Sequence, residues 1–157
     1  SIEKIAPTLK NFPGVYRRMN IYKWDGNIVI DDYAHHPVEI ESVFKTIKCF
    51  YPKQKNCVVF QPHLFSRTRD LMKDFITVLS KFDEVILMDI YPAREKPIEG
   101  INVKKLLDGI SHKRKRYIQK KEIKKIFETS EANIFALLGA GDIGVEIQEL
   151  KSKFITL

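Results

Sequence analysis

Residues 27–47 read NIVIDDYAHHPVEIESVFKTI, and the fold turns on how they pair strand with helix. Asn27-Ile28-Val29-Ile30-Asp31 is an apolar run closing on carboxylates, the pattern of a strand buried on both faces. Pro37 then opens a helix, because its fixed φ suits the first helical turn. Ile40, Val43, Phe44 and Ile47 come next at the helical period and line one face. A buried strand, a polar turn and an amphipathic helix in succession begin a βαβ unit.

Outward from this stretch the same alternation recurs. Residues 57–60 and 85–88 read as further strands, and residues 69–82 as a helix with Leu71, Phe75, Val78, Leu79 and Phe82 aligned. A loop rich in proline and charge, 91–100, leads to a helix over 103–110. A weaker strand over 116–118 precedes a lysine-rich helix over 121–128, where Phe127 joins Ile123 and Ile126 at helical spacing. Residues 134–138 form the last clear strand, succeeded by a glycine-rich turn and a helix over 143–153. The expected fold is one α/β domain, Rossmann-like and doubly wound. It has a mostly parallel sheet of about five or six strands with helices on both faces. Residues 1–20 are expected to lead in from a preceding domain, and the whole chain, 1–157, to form the one domain.

Composition agrees. The chain has 157 residues, 44% of them hydrophobic and 11% aromatic, enough for a buried core and too apolar for a disordered or fibrous protein. No apolar run approaches the roughly 18 residues of a membrane span, and residues 1–10 carry no charged-then-apolar leader. Starting on Ser1, the sequence is expected to be a piece of something longer. Cys49 and Cys57 are too few for a disulfide scaffold and read as reduced thiols of a cytoplasmic protein. With 27 Lys and Arg against 20 Asp and Glu, the net charge of +7 favours anionic partners without choosing among them. Part of the excess lies in Lys113-Arg114-Lys115-Arg116, with Lys120, Lys121, Lys124 and Lys125 close behind. A solvated face explains such a run, and the aromatic interleaving of a nucleic-acid surface is missing.

Open parallel sheets bind ligands beyond the carboxyl ends of their strands, so the segment leaving each strand end is where ligand chemistry would sit. Those segments are Asp31-Asp32-Tyr33-Ala34-His35-His36-Pro37, Gln61-Pro62-His63-Leu64-Phe65-Ser66-Arg67-Thr68-Arg69, Asp89-Ile90-Tyr91-Pro92-Ala93-Arg94-Glu95 and Gly139-Ala140-Gly141-Asp142-Ile143-Gly144. All four are expected to converge on one edge. Each has a plainer reading. Asp31 or Asp32 would cap a turn. His35, His36 and His63 with Asp32 carry metal-ligand chemistry, but adjacent histidines diverge and no His-x-x-x-His pair exists, so no metal is assigned. Arg67 and Arg69, with Ser66 and Thr68 near a helix start, make either a carboxylate or phosphate clamp or a pair of surface arginines. Arg17 and Arg18 precede the first strand and are expected to reach the same edge. Gly139 to Gly144 fit Gly-x-Gly-x-x-Gly, yet a dinucleotide fingerprint opens the first βαβ unit and this one opens the final helix. A tight turn allowing close helix–strand approach explains the glycines better.

Together, Asp31-Asp32-Tyr33-Ala34-His35-His36-Pro37, Phe60-Gln61-Pro62-His63 with Ser66-Arg67-Thr68-Arg69, and Asp89-Ile90-Tyr91-Pro92-Ala93 resemble the C-terminal domain of the Mur ligases. Phe12-Pro13-Gly14-Val15 with Arg17-Arg18 and the closing Gly139-Ala140-Gly141 fit the same family. The resemblance runs from about Ile2 to the final helix. It implies one domain of an ATP- and Mg²⁺-dependent amide ligase of peptidoglycan synthesis. Such an enzyme phosphorylates the carboxylate of UDP-N-acetylmuramate, and the amine of L-alanine then displaces phosphate through a tetrahedral intermediate. The N-terminal domain holds the UDP-sugar, the central domain carries the P-loop and the Mg²⁺ ligands, and the C-terminal domain closes over both. This sequence has no Gly-x-x-x-x-Gly-Lys-[Ser/Thr], so the isolated chain is expected to be inactive. By motif position, Arg18 meets ATP phosphates or the acyl phosphate and Asp32 helps position the nucleotide. His35 and Arg67 bind the incoming amino acid, with Tyr33 and His36 in the same loop. Two residues depart from the family pattern. Leu64 stands where many members have Arg, and Arg94 where many have Gly, so either Arg94 supplies the charge or Arg67 acts alone. The competing expectation is a stand-alone basic α/β module that binds nucleotide or nucleic acid; membrane partners are not expected.

Overall fold

In a computed structural model the apolar runs become strands of a single seven-stranded sheet. The structure describes residues 2–10, 12, 14–111, 114–150, 152 and 154–156. Pro13 of the first motif, Lys113 of the basic run and Lys153 at the expected end of the last helix lie outside the described residues.

The opening stretch, 27–47, forms β2 (Asn27–Asp32) and most of α2 (Pro37–Phe50). Pro37 takes the first helical position, as its sequence implies, with His36 as N-cap. The alternation continues through β3 (Asn56–Phe60), α3 (Phe65–Asp70), α4 (Met72–Leu79) and β4 (Glu84–Leu87). After the 91–100 loop come α5 (Val103–Gly109) and β5 (Lys115–Tyr117). A single 3-10 turn, Lys120–Glu122, leads into α6 (Ile123–Thr129), β6 (Ile134–Leu138) and α7 (Ile143–Leu150). Ahead of them lie α1 (Ile2–Lys10) and β1 (Asn20–Trp24), and β7 (Ile155–Thr156) ends the chain.

The sheet order is β5-β4-β3-β6-β2-β1-β7. The neighbours from β5 to β2 all pair in parallel, as expected of the four apolar runs and the weaker strand over 116–118. β1 and β7 add an antiparallel margin that periodicity did not reveal. β1 is joined to β2 by Asp25-Gly26, whose φ of 49° and 79° suit a two-residue hairpin. Only Tyr22 of β1 is buried, so its apolar pattern is faint. β7 is too short to carry a pattern at all.

Strand side chains alternate between two cores. Val58, Phe60, Val85, Leu87, Ala136 and Leu138 face α2, α4 and α5 through Ile40, Val43, Ile47, Phe75, Leu79 and Leu106. Cys57, Val59, Ile86, Phe135 and Leu137 face α6 and α7 through Ile123, Ile126, Ile143 and Ile147. Helices thus cover both faces, which is why β3 and β6 are buried at every position.

The helix expected over 69–82 is two helices, and it starts at Phe65. Leu64, at φ 74°, swings the chain into α3, and the Thr68 hydroxyl donates to the Leu64 carbonyl at 2.8 Å. At Leu71 (φ −108°, ψ 19°) the axis breaks before α4. Ser66 and Arg67, read as loop residues beside a helix, are therefore helical.

Registers of Asp32 with Leu138 and of Phe60 with Leu138 and Leu87 put the strand ends level. α2 leaves β2 for one face and α7 leaves β6 for the other, the arrangement at which open α/β sheets bind ligands.

Candidate functional site

At the end of β2 two neighbouring carboxylates part company, as alternation along a strand requires. Asp31 takes the Nε–H of Arg17 at 2.9 Å in a fully enclosed ion pair. Asp32 accepts from the amides of Met19 at 2.8 Å and Ala34 at 2.7 Å. Turn capping therefore falls to Asp32 and not to Asp31. Beyond it Tyr33 is exposed, with the guanidinium carbons of Arg17 and Arg18 at 5.5 and 5.8 Å from its ring centre. Arg18 itself is exposed.

Glu39 holds the next turn. Its carboxylate accepts from the amides of His35 at 2.8 Å and His36 at 3.0 Å, and the His36 ring caps α2 from the other side. Burial would raise the Glu39 pKa, but the bond from the His35 amide and the nearby His35 charge outweigh it and hold the carboxyl below its ordinary range. His35 Nδ1 lies 2.9 Å from the Tyr33 carbonyl, which fixes the ring at the edge.

The loops after β3 and β4 join alongside. His63 bridges Tyr91, and the Leu64 amide donates to the Tyr91 carbonyl at 2.9 Å. Four rings then form a row: Tyr33 to His35 at 5.4 Å, His35 to His63 at 5.8 Å and His63 to Tyr91 at 5.6 Å. Arg67, half-buried on α3, sets its guanidinium 3.4 Å from His63 Nδ1. Burial pushes the His63 pKa below the usual imidazole value, with the charges of Arg67 and His35 adding to it against Glu95. His63 is therefore neutral at neutral pH. Glu95 receives the Ser66 amide at 2.9 Å and also its hydroxyl, tying the 91–100 loop to the start of α3. Arg94 is exposed on that loop, next to Ala93 at φ 49°. Leu64 is half-buried and presents no charge.

The glycine turn after β6 is filled by the protein itself. The Gln61 side chain donates to Asp142 at 2.6 Å and accepts the Ile143 amide at 2.9 Å. A Cβ at Gly141 would sit 2.4 Å from Gln61 Oε1, and one at Gly144 2.6 Å from Arg17 Nη1. Arg17 also donates to the Gly139 carbonyl at 2.8 Å. A dinucleotide phosphate has no place where this guanidinium lies, so the glycines serve close packing.

The basic run is likewise engaged internally. Arg114 pairs with Glu131 at 2.9 Å, Arg116 with Glu84 at 3.3 Å, and the Lys115 ammonium donates to carbonyls at the end of α5. That engagement weakens the case for a nucleic-acid surface. Among the described residues no group of three or more His, Cys, Asp or Glu is placed to hold a metal ion, and no helix is long and apolar enough to cross a membrane.

Sequence reasoning passed over the residues that hold the others in place. Gln61, Tyr91 and Glu95 stand in the strand-end motifs without an assigned role, Glu39 lies just beyond the first of them, and Arg17 is expected only to reach the edge. Glu39, three places beyond His36, carried a capping-box signal.

Fold and edge first define a class: an open α/β domain with arginine, histidine and tyrosine side chains gathered at its strand ends. Sequence comparison then fixes the family. A profile described as "Mur ligase, glutamate ligase domain" matches residues 17–143, and the chain belongs to that family. The UDP-N-acetylmuramate–L-alanine ligase of Christiangramia forsetii is 49% identical over 99% of this chain, a match covering 34% of that protein. The corresponding ligase of Flavobacterium psychrophilum is 47% identical over 96% of the chain, covering 34% of its own length. The chain thus spans about a third of the curated relatives it matches. The crystal structure of UDP-N-acetylmuramate-alanine ligase from Thermotoga maritima aligns with a TM-score of 0.73 at 28% identity, over 97% of this chain and 33% of that one.

Proposed function

We propose that this chain is the closing domain of an ATP-dependent ligase that joins L-alanine to UDP-N-acetylmuramate through an acyl phosphate, with residues 1–20 leading in from a central nucleotide-binding domain. The observation that carries the reading is the row of four rings with Arg18 beside Tyr33 at one end and Arg67 beside His63, the third ring. Such a row offers two separate anion-binding points along one amphipathic platform. Arg18, exposed and not committed to a carboxylate in any described ion pair, suits the phosphates of ATP or the acyl phosphate. Asp32, by holding the amide of Met19, fixes the turn that presents Arg18 and so helps position the nucleotide. Arg67 pairs with the amino-acid carboxylate, and His35 flanks it beside the neutral ring of His63. Tyr33 and His36 shape the same loop. With Leu64 apolar, Arg94 adds positive charge from a loop anchored by Glu95.

The donor set fits an anion and not a cation, so Mg²⁺ would be held by the rest of the ligase, where it neutralises phosphate charge. The exposed apolar side chains of Ile2, Ile5, Phe12 and Val15 support a neighbouring domain packed against the lead-in.

Phosphate release from ATP with UDP-N-acetylmuramate and L-alanine tests the proposal. The isolated chain gives none, and the full-length gene product turns over. In the full-length ligase, Arg67→Ala raises KM for L-alanine by about tenfold or more with a smaller change in kcat. An unchanged KM would remove Arg67 from the amino-acid site, and turnover by the isolated chain would sink the closing-domain reading.

A further inference from the structure

We infer that Arg17 is a positioning residue for this reaction: its buried guanidinium locks the Arg18 turn, the loop after β2 and the glycine turn after β6 into one rigid edge. The inference rests on the reading of Arg18 as the phosphate contact. Arg17 is only 4% exposed, too enclosed to touch a substrate. Its Nε donates to Asp31 at 2.9 Å, and its Nη2 reaches the carbonyls of Gly139 at 2.8 Å and Asp32 at 3.4 Å. Its own carbonyl takes the Tyr33 amide at 2.8 Å. One side chain therefore ties together the ends of two strands and the segment ahead of β1.

The turn it anchors is strained. Arg17 and Met19 sit at φ 54° and 49°, in the left-handed region that L-residues avoid, and Arg18 projects between them. Met19 is held by Asp32, and Arg17 by its guanidinium. Freed from that anchor, the turn relaxes and Arg18 leaves its place above Tyr33. A lysine keeps the charge opposite Asp31, but one ammonium cannot reproduce the fork that reaches two carbonyls as well. Gly144 supplies an independent handle. A methyl there would stand 2.6 Å from Nη1, so Gly144→Ala displaces the guanidinium while every partner remains and α7 gains helix propensity.

The test uses steady-state kinetics of the full-length ligase. Arg17→Lys and Gly144→Ala are each expected to lower kcat by about tenfold or more, with KM for ATP and L-alanine within about twofold of wild type. Arg17→Lys combined with Arg18→Ala is expected to be no slower than Arg18→Ala alone, within about twofold, because both changes remove the same contribution. Losses that multiply would overturn the inference, as a merely structural role predicts. Normal kcat in Gly144→Ala would overturn it too, and that variant decides the matter if Arg17→Lys fails to fold. Slow Arg18→Ala with normal Arg17→Lys removes this inference alone. Near-normal Arg18→Ala removes the reading on which it rests.

Discussion

Glu39 shows how a single carboxylate sets up the edge. It binds two consecutive amides ahead of α2, and that is also where His35 and His36 are aimed. Its pKa is lowered in the fold, so its contribution to stability is fully present above the unfolded carboxylate value of about 4.3 and is lost as pH falls through the lower folded value. Glu39→Ala is therefore expected to cost about 1 kcal/mol at neutral pH, the worth of a helix cap. In melts near pH 3 the gap to wild type should close; a constant gap across pH would mean that charge plays no part. The residues that make such bonds were harder to read than those they position. Asp31, Asp32, His35, His63 and Arg67 announce themselves because polar side chains directly after apolar strands must lie on the ligand edge. That Asp31 belongs to Arg17, and that Asp32 also holds the Met19 amide, depends on pairings across the chain that no local spacing encodes.

Elements divide in the same way. Four of the five parallel strands and most helices were legible because burial on both faces leaves continuous apolar runs and burial on one face leaves a 3.6 period. β5, Lys115–Tyr117, is charged and only partly buried and gave a weaker signal. α3 was missed at its start because its first residues have no apolar period. Its place is set by Glu95 reaching Ser66 from another loop and by Leu64 in a left-handed conformation. β1 carried a readable signal in Asp25-Gly26, but only one buried side chain to support it. The glycine turn after β6 makes a prediction at this scale. Gly139 lies at φ 147°, and a Cβ there would stand 2.8 Å from the Gln61 carbonyl, which cannot withdraw without leaving its place beside β6. Gly139→Ala is expected to destabilise the domain by about 2 kcal/mol, from backbone strain and the clash together. Denaturant unfolding measures it. A loss below about 0.5 kcal/mol would show that the turn can shift, and that its rigidity does not hold the edge.

For the molecule as a whole, the question is where the independently stable unit begins. The sheet is closed by helices on both faces, whereas α1 leaves Ile2 82% and Ile5 55% exposed. An apolar surface left in water contributes little to the stability of the chain that carries it. Among the described residues Arg17 is the first whose side chain enters the fold deeply, and its removal takes from Asp31, 0% exposed, the guanidinium it is paired with. Breaking a buried pair on one side costs roughly 3–5 kcal/mol. For a domain of this size that corresponds to a fall in Tm of about 10 °C. Two truncations of the isolated chain separate the contributions. A chain starting at Gly14 keeps Tyr16, whose hydroxyl bonds Gln148, and the Arg17 clamp; its Tm should lie within about 2 °C of the parent. A chain starting at Arg18 differs by only four more residues and should melt about 10 °C lower. If both melt together near the parent, the Arg17–Asp31 pair does not hold the domain. If both melt together far below it, α1 is part of the stable unit and the lead-in is not separable from the sheet.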